Sequence, residues 1–307
     1  MRTVYLGTSE FAAAVLERLA TAAEGMHRPA LVVTRPDRPA GRGRALRSPP
    51  VAVCARELGI EVAQPESVNE PAARERIAAV APQAVLVCAF GALIKEPLLS
   101  EHTLLNVHPS LLPRWRGAAP IERAIIAGDA QTGVSIMRLT AGLDSGPVCA
   151  SAAIEIDPGD TYGSLAPRLE RLGAALLVQA LDAMAAGEPP LFSEQDERLA
   201  TYAEKIVAAD RQLDPSRPAS ELERVVRALA PHIGARLELP GGALLGVRAA
   251  ALAPDAPPGE ALYAAGERLL LACSQGTLEL LEVQPPGGRP MPAAAYLRGH
   301  GPPLPAP

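Results

Sequence analysis

The chain has only four cysteines in 307 residues, Cys54, Cys88, Cys149 and Cys273, with no CxxC pair among them. Their wide spacing, and the apolar runs around Cys88 and Cys149, argue against a disulfide framework or a cysteine zinc site. Long hydrophobic runs are also missing. The longest, Ala84 to Ile94, is far too short to cross a bilayer. Met1 to Gly7 holds a brief apolar run before Ser9 and Glu10, and no signal peptide fits there. A cytoplasmic protein without a membrane partner is expected. Lysine is nearly absent: Lys95 and Lys205 are the only two, so the positive charge is almost all arginine. With abundant alanine and proline, this reads as codon bias. The balance of 29 basic against 34 acidic residues, net −5, argues against a general nucleic-acid coating protein and leaves a local basic site open. A GxGxxG fingerprint is lacking. Gly7-Thr8-Ser9-Glu10 therefore reads as a tight strand-to-helix turn rather than a dinucleotide loop.

What is present is an ordinary globular composition, 48% hydrophobic and 21% charged, which supports a sizeable core. At about 150 residues per domain, the length suggests two domains. The first half alternates elements. Val4 to Leu6 reads as a strand; Phe11, Val15, Leu16 and Leu19 share a helical face; Leu31 to Val33 reads as a strand. A Pro/Gly/Arg-rich loop follows, then helices over Val51 to Leu58 and Glu70 to Val80, and strands at Ala84 to Cys88 and Thr103 to Val107. Further strands are predicted at Val134 to Leu139 and Val148 to Ile156, then a long helix with Leu165, Leu169, Leu172 and Leu176 on its apolar face. This is an α/β pattern, a Rossmann-like, mostly parallel sheet whose ligands bind beyond the carboxyl ends of the strands. Residues 1–189 are assigned to this domain and the polar stretch 190–209 to a linker. Residues 210–307 open with a helix, started by a capping box at Ser220-x-x-Glu223. They continue as short β runs with Gly/Pro turns, which predicts a small β-barrel with an OB-like closure as one candidate.

The densest polar patch is Asn106-Val107-His108-Pro109-Ser110-Leu111-Leu112-Pro113. In an extended strand Asn106 and His108 point to the same face. An amide can hold a developing oxyanion while an imidazole moves a proton. On spacing alone, two ordinary polar side chains at a strand end fit as well. A carboxylate partner would decide between these readings, and Asp144, in a Gly-flanked loop, is the candidate. Ser110 lacks a nucleophile elbow, and His102 and His108 lack a third metal ligand.

The chain resembles the methionyl-tRNA formyltransferase family over nearly its whole length. The resemblance rests on Gly7-Thr8-Ser9-Glu10-Phe11, on Arg35-Pro36-Asp37-Arg38-Pro39-Ala40-Gly41-Arg42-Gly43, on Gln64-Pro65-Glu66-Ser67, and above all on Asn106 through Ile121. Gly133 to Met137, Gly142 to Gly146, Ala200 to Ala203 and Arg217 to Ala219 extend it. Ser9, Pro109 and Ala230-Pro231-His232-Ile233 depart from the family's usual proline, alanine and Asn-Pro-Trp-Pro. The resemblance implies formyl transfer from 10-formyltetrahydrofolate, a co-substrate rather than a tightly bound cofactor, to the α-amine of initiator methionyl-tRNA, without a metal. It implies Asn106, His108 and Asp144 as the catalytic set, and Ser110, Leu111, Leu112 and Pro113 as the lining of the folate site. The loop Ala89-Phe90-Gly91 would offer backbone groups to the pterin. Arg35, Arg38, Arg42, Arg44 and Arg47 would meet the tRNA acceptor stem, the C-terminal domain would add tRNA contacts, and a monomer is expected. Trp115 would either stack on a base or pack. The nearest rivals keep the chemistry and change the amine to glycinamide ribonucleotide or an amino-sugar nucleotide. A non-catalytic RNA-binding protein would not need Asn106, His108 and Asp144 together.

Overall fold

The computed structural model describes residues 1–40, 45–188, 190–256 and 261–300. In chain order the elements are β1 (Thr3–Gly7), α1 (Glu10–Thr21), β2 (Leu31–Val33), β3 (Arg38–Ala40), β4 (Ala45–Arg47), α2 (Pro50–Glu57), β5 (Glu61–Ala63), α3 (Pro71–Ala79), β6 (Ala84–Cys88), α4 (Leu98–Glu101), β7 (Leu104–His108), β8 (Arg116–Gly117) and α5 (Pro120–Ala127). They continue with β9 (Gln131–Arg138), β10 (Val148–Glu155), α6 (Tyr162–Ala185), β11 (Tyr202–Ala203), α7 (Ala219–Leu229), β12 (Ala235–Glu238), β13 (Leu244–Leu252), β14 (Leu262–Ala265), β15 (Arg268–Ala272), β16 (Thr277–Gln284), β17 (Met291–Pro292) and α8 (Ala293–His300). The chain divides into two compact units. The first comprises Met1–Gly117, Gln131–Ile154 and Ala166–Ala203; the second, Ala118–Ala130, Glu155–Leu165 and Glu204–Pro307.

The first unit is built on a seven-stranded sheet in the order β10-β9-β7-β6-β1-β2-β5. The stretch β7-β6-β1-β2-β5 is parallel and β9 runs antiparallel to β7. β1, β6 and β7 are buried at every position, as expected of parallel strands covered on both faces. Their carboxyl ends at Gly7, Cys88 and His108 therefore open onto one edge. Ser9 caps α1, its hydroxyl accepting from the Ala12 N–H at 3.2 Å, so the residue that departs from the family pattern starts the helix itself.

Three local expectations are corrected. The Pro/Gly/Arg-rich loop contains a hairpin, with β3 and β4 antiparallel and Arg38 directly opposite Arg47. Proline and glycine masked the short alternation of these strands. The capping box is absent: α7 begins at Ala219 with Pro218 before it, no side chain caps it, and Glu223 pairs instead with Arg227 at 2.5 Å. Ser220 thus falls inside the first turn, while Leu222, Val225, Val226 and Leu229 are buried as the pattern requires. Finally, the stretch read as a linker is built into the first unit as far as Ala203. Ser193 pairs with Val148, and β11 runs parallel to β8. Backbone pairing and side-chain hydrogen bonds rather than apolar periodicity hold this stretch, so the pattern gave no sign of it.

The second unit is an antiparallel sheet in the order β12-β13-β16-β15-β14, with β17 on β16. Its core joins Leu222, Val226 and Leu229 of α7 to Leu245, Val247, Leu269, Leu271 and Leu280 of the strands. Strand β14 was not expected from the sequence. Residues 118–130 and 155–165 also belong to this unit, which the assignment of residues 1–189 to a single domain did not foresee. Arg123 of α5 makes a two-pronged ion pair with Asp210 at 2.9 and 3.0 Å that helps explain the membership.

Candidate active site

Strand β7 carries Asn106 and His108 to the carboxyl edge of the first unit, and both are buried, at 7% and 4% exposure. Asn106 stands opposite Val87 of β6 and Met137 of β9, and His108 opposite Ser135. No other described residue hydrogen-bonds the Asn106 amide, which leaves its NH₂ available to an incoming group. His108 is held from both sides. Its Nε2 lies 2.8 Å from the carbonyl oxygen of Trp115, which can only accept, so Nε2 carries a proton. Its Nδ1 faces Asp144 Oδ2 at 3.7 Å.

Asp144 is the carboxylate that spacing alone could not place. It sits at φ +45° and its Oδ2 also accepts the Gly117 N–H at 2.9 Å. The carbonyls around it are pinned: Gln195 Nε2 donates to Asp144 O at 2.8 Å and to Gly146 O at 2.7 Å. Gln195 is oriented in turn by Arg116, whose Nε donates to Gln195 Oε1 at 3.0 Å. Arg116 is buried yet fully engaged, with its two Nη atoms on the Glu197 carboxylate at 2.9 and 2.7 Å. That pairing holds the Glu197 carboxyl below its usual range and the guanidinium above its own. Trp115 N donates to Thr201 Oγ1 at 2.9 Å, which fixes the backbone that clamps His108. The Trp115 ring is faced by the Arg114 guanidinium, 4.4 Å from its centroid.

Sequence reasoning missed Gln195, Glu197 and Thr201, because they lie in the stretch read as a linker. The usable signal was Arg116 within the stretch Asn106 to Ile121, since a buried guanidinium demands a carboxylate.

Ser110 is fully buried, and its hydroxyl donates to Arg114 O at 2.6 Å, so it shapes the loop. Leu111, Leu112 and Pro113 are half-buried. Leu111 lies over Gly133 of β9, where an added Cβ would come within 2.6 Å of its Cδ2. In the loop after β6, the Phe90 carbonyl accepts the Thr8 hydroxyl at 2.7 Å and the Gly91 carbonyl accepts Arg35 Nη1 at 3.1 Å. Arg35 is thereby tied to the sheet edge. Arg38 and Arg47 are exposed, face each other across the hairpin and make no ion pair among the described residues. Arg42 and Arg44 lie outside the described residues. Asp37, the sole acid of this segment, is occupied: Gln64 Nε2 donates to Oδ1 at 2.6 Å and Ser48 Oγ to Oδ2 at 2.9 Å, which holds the carboxyl below its usual range.

The fold and site define a class. Residues 1–181 match the formyl transferase family model and residues 205–301 its C-terminal domain. The chain is 45% identical to the methionyl-tRNA formyltransferase of Methylococcus capsulatus over 98% of its own length and 97% of the relative's. Against that of Halorhodospira halophila it is 44% identical over 97% and 96%. A crystal structure of HypX from Aquifex aeolicus with tetrahydrofolic acid shares the fold at a TM-score of 0.65 and 17% identity, covering 97% of this chain and 47% of that longer one. The chain belongs to the methionyl-tRNA formyltransferase family.

Proposed function

We propose that the chain transfers the formyl group of 10-formyltetrahydrofolate to the α-amine of initiator methionyl-tRNA. The neutral amine nitrogen attacks the formyl carbon, and the carbonyl electron pair moves onto oxygen. The tetrahedral adduct collapses by breaking the bond to N10 of the folate. A proton leaves the amine and N10 gains one, giving N-formylmethionyl-tRNA and tetrahydrofolate. The amine is a competent nucleophile once neutral, so the protein's task is positioning and electrostatics.

The observation that carries this reading is the trio of buried Asn106 and His108 with half-buried Asp144. The unpartnered amide of Asn106 donates to the developing oxyanion. His108 is oriented by Trp115 O with its Nδ1 towards Asp144 Oδ2, so a proton taken up on Nδ1 during the transfer lies between the ring and Asp144. Asp144, its other contact being a backbone N–H, supports that proton without taking it, as carboxylates do for other catalytic histidines. The half-buried Leu111, Leu112 and Pro113, on the loop Ser110 shapes, form the apolar side of the folate site. On the hairpin, Arg38 and Arg47 stand opposite each other, an arrangement that costs stability until an anion intervenes. A tRNA phosphate is that anion, with Arg42 and Arg44 between them in sequence. The test offers labelled 10-formyltetrahydrofolate separately to methionyl-tRNA, glycinamide ribonucleotide and an amino-sugar nucleotide. Label transfer to methionyl-tRNA alone is expected; transfer to either other amine in preference would overturn the substrate.

A further inference from the structure

The second unit contains a cleft of about 330 Å³ lined by three arginines, Arg211, Arg236 and Arg248. All three are half-buried, no carboxylate lines the cleft, and none of the three makes an ion pair among the described residues. Two are locked in place. Arg211 Nε donates to Gly234 O at 3.0 Å and its Nη2 to Ile233 O at 2.9 Å. Arg248 donates through Nε to Gln284 Oε1 at 3.1 Å. Arg236 makes no side-chain hydrogen bond among the described residues.

The backbone makes room for this arrangement. On β13, Val247 pairs with Val283 and Ala249 with Glu282, so Arg248 is the extra residue of a bulge. A bulge bends the strand and re-aims a side chain. Gly246 stands opposite Arg236 on one side and Gln284 on the other, and it has no side chain to fill the space between them. Like charges gathered in a partly desolvated place raise the free energy of the empty state. Accordingly, Arg211 is held below its ordinary range by burial and then by the charges of Arg236 and Arg248. Elsewhere in this unit Arg123, Arg217, Arg227, Arg268 and Arg298 face carboxylates, Arg224 donates to Ile126 O at 3.0 Å, and Arg289 is exposed. The trio differs from all of these in that three guanidinium-bearing side chains line one cleft. Such a cluster suits an anion with several acceptor oxygens, able to take guanidinium forks from more than one direction.

We propose that this cleft is a phosphate site, taking one phosphate group between Arg211, Arg236 and Arg248. The group comes from an RNA backbone or from a small phosphate. The RNA source rests on the function proposed above; the phosphate chemistry does not.

The full chain is melted in inorganic phosphate and in sodium chloride at matched ionic strength. A ligand that binds only the folded state raises Tm by mass action, so phosphate is expected to raise it several degrees beyond chloride. Arg236→Glu supplies a counter-charge to Arg211 and Arg248. It is expected to melt higher than wild type in chloride and to lose the phosphate increment. An equal rise in both salts, or an increment that survives in Arg236→Glu, overturns the proposal. A second arm measures tRNA binding by Arg236→Gln and wild type across a salt series. A log-log slope shallower by about 0.7 to 0.9, together with loss of the phosphate increment, assigns the site to RNA. Loss of the increment with an unchanged slope assigns it to a small phosphate. Formylation of methionyl-tRNA by the wild-type chain is measured alongside, so failure of the activity is recognised independently of the cleft.

Discussion

His108 donates through Nε2 to the carbonyl oxygen of Trp115 at 2.8 Å, a contact between the last residue of β7 and the loop that follows it, which sets the imidazole tautomer. Trp115 reaches this position at φ +64°, in the left-handed region that non-glycine residues rarely adopt. Its N–H on Thr201 and the β8–β11 pairing next to it hold the backbone there. Nδ1 is thereby turned to Asp144, and the proton chemistry of the site depends on that choice of nitrogen.

The amide and imidazole should carry most of the rate. Asn106→Ala and His108→Ala are each expected to lower kcat about a hundredfold or more, as loss of one oxyanion donor does elsewhere. Folate binding, measured by fluorescence titration, should change little. Turnover near wild type in either variant would sink the site.

Asp144→Asn keeps the acceptor for Gly117 N–H and removes the charge facing His108. A large fall in kcat with an unchanged Tm is expected. A collapse in melting temperature with kcat intact in the residual folded fraction would make Asp144 structural.

Gln195 is a positioning residue, acting through the Asp144 and Gly146 carbonyls. Gln195→Ala should lower kcat about tenfold or more, since small misplacements of catalytic groups are costly, with KM for the folate donor little changed. Gln195→Glu removes the amide donor and introduces repulsion against both carbonyls, so it should be no better than alanine. If the two variants match wild type in kcat, the loop does not need this brace.

On the hairpin, Arg47→Ala should raise KM for methionyl-tRNA and flatten its salt dependence by about 0.7 to 0.9 in log-log slope. KM for the folate donor should stay the same. A parallel tRNA affinity curve at every salt concentration would return Arg47 to the solvated surface.

Alkaline pH offers a test of the core. Cys88 is completely buried, and burial pushes its thiol up to about 12 from an ordinary value of 9.0. Tyr5, buried beside it, is raised for the same reason. The unfolded chain loses these protons first, so the folded state binds more of them above pH 9 and stability falls as pH rises from there towards 12. The slope for Cys88 alone approaches about 1.4 kcal/mol per pH unit. Urea unfolding at pH 8 and pH 10.5 measures it. In Cys88→Ala the loss between the two pH values should be smaller; an identical loss would place the effect elsewhere.

Much of the first unit was legible because its cues are local. Ala84–Cys88 was read from sequence with the same bounds as β6, since a short apolar run between breakers fits a strand buried on both faces. Asn106 and His108 shared a face by the two-residue period of a strand. The hairpin was harder: Pro39 and the glycines at 41 and 43 hid a pairing that depends on residues reaching across it. In the second unit the runs of leucine and valine marked most strands, while β14 and the start of α7 escaped.

By itself, the sequence determined the alternation of strands and helices, the amide–imidazole pair at the end of β7, and the arginine-rich segment with a single acid. These follow from periodicity and charge, properties that neighbouring residues carry together. Only the tertiary structure decided that Asp144 meets His108, that Gln195 and Arg116 brace its loop, and that Arg211, Arg236 and Arg248 share one cleft. Those contacts join residues far apart in the chain, some in stretches that look like plain loop. They exist because the sheet and the bulge in β13 bring the backbone around, and no local pattern encodes where a folded chain returns to itself.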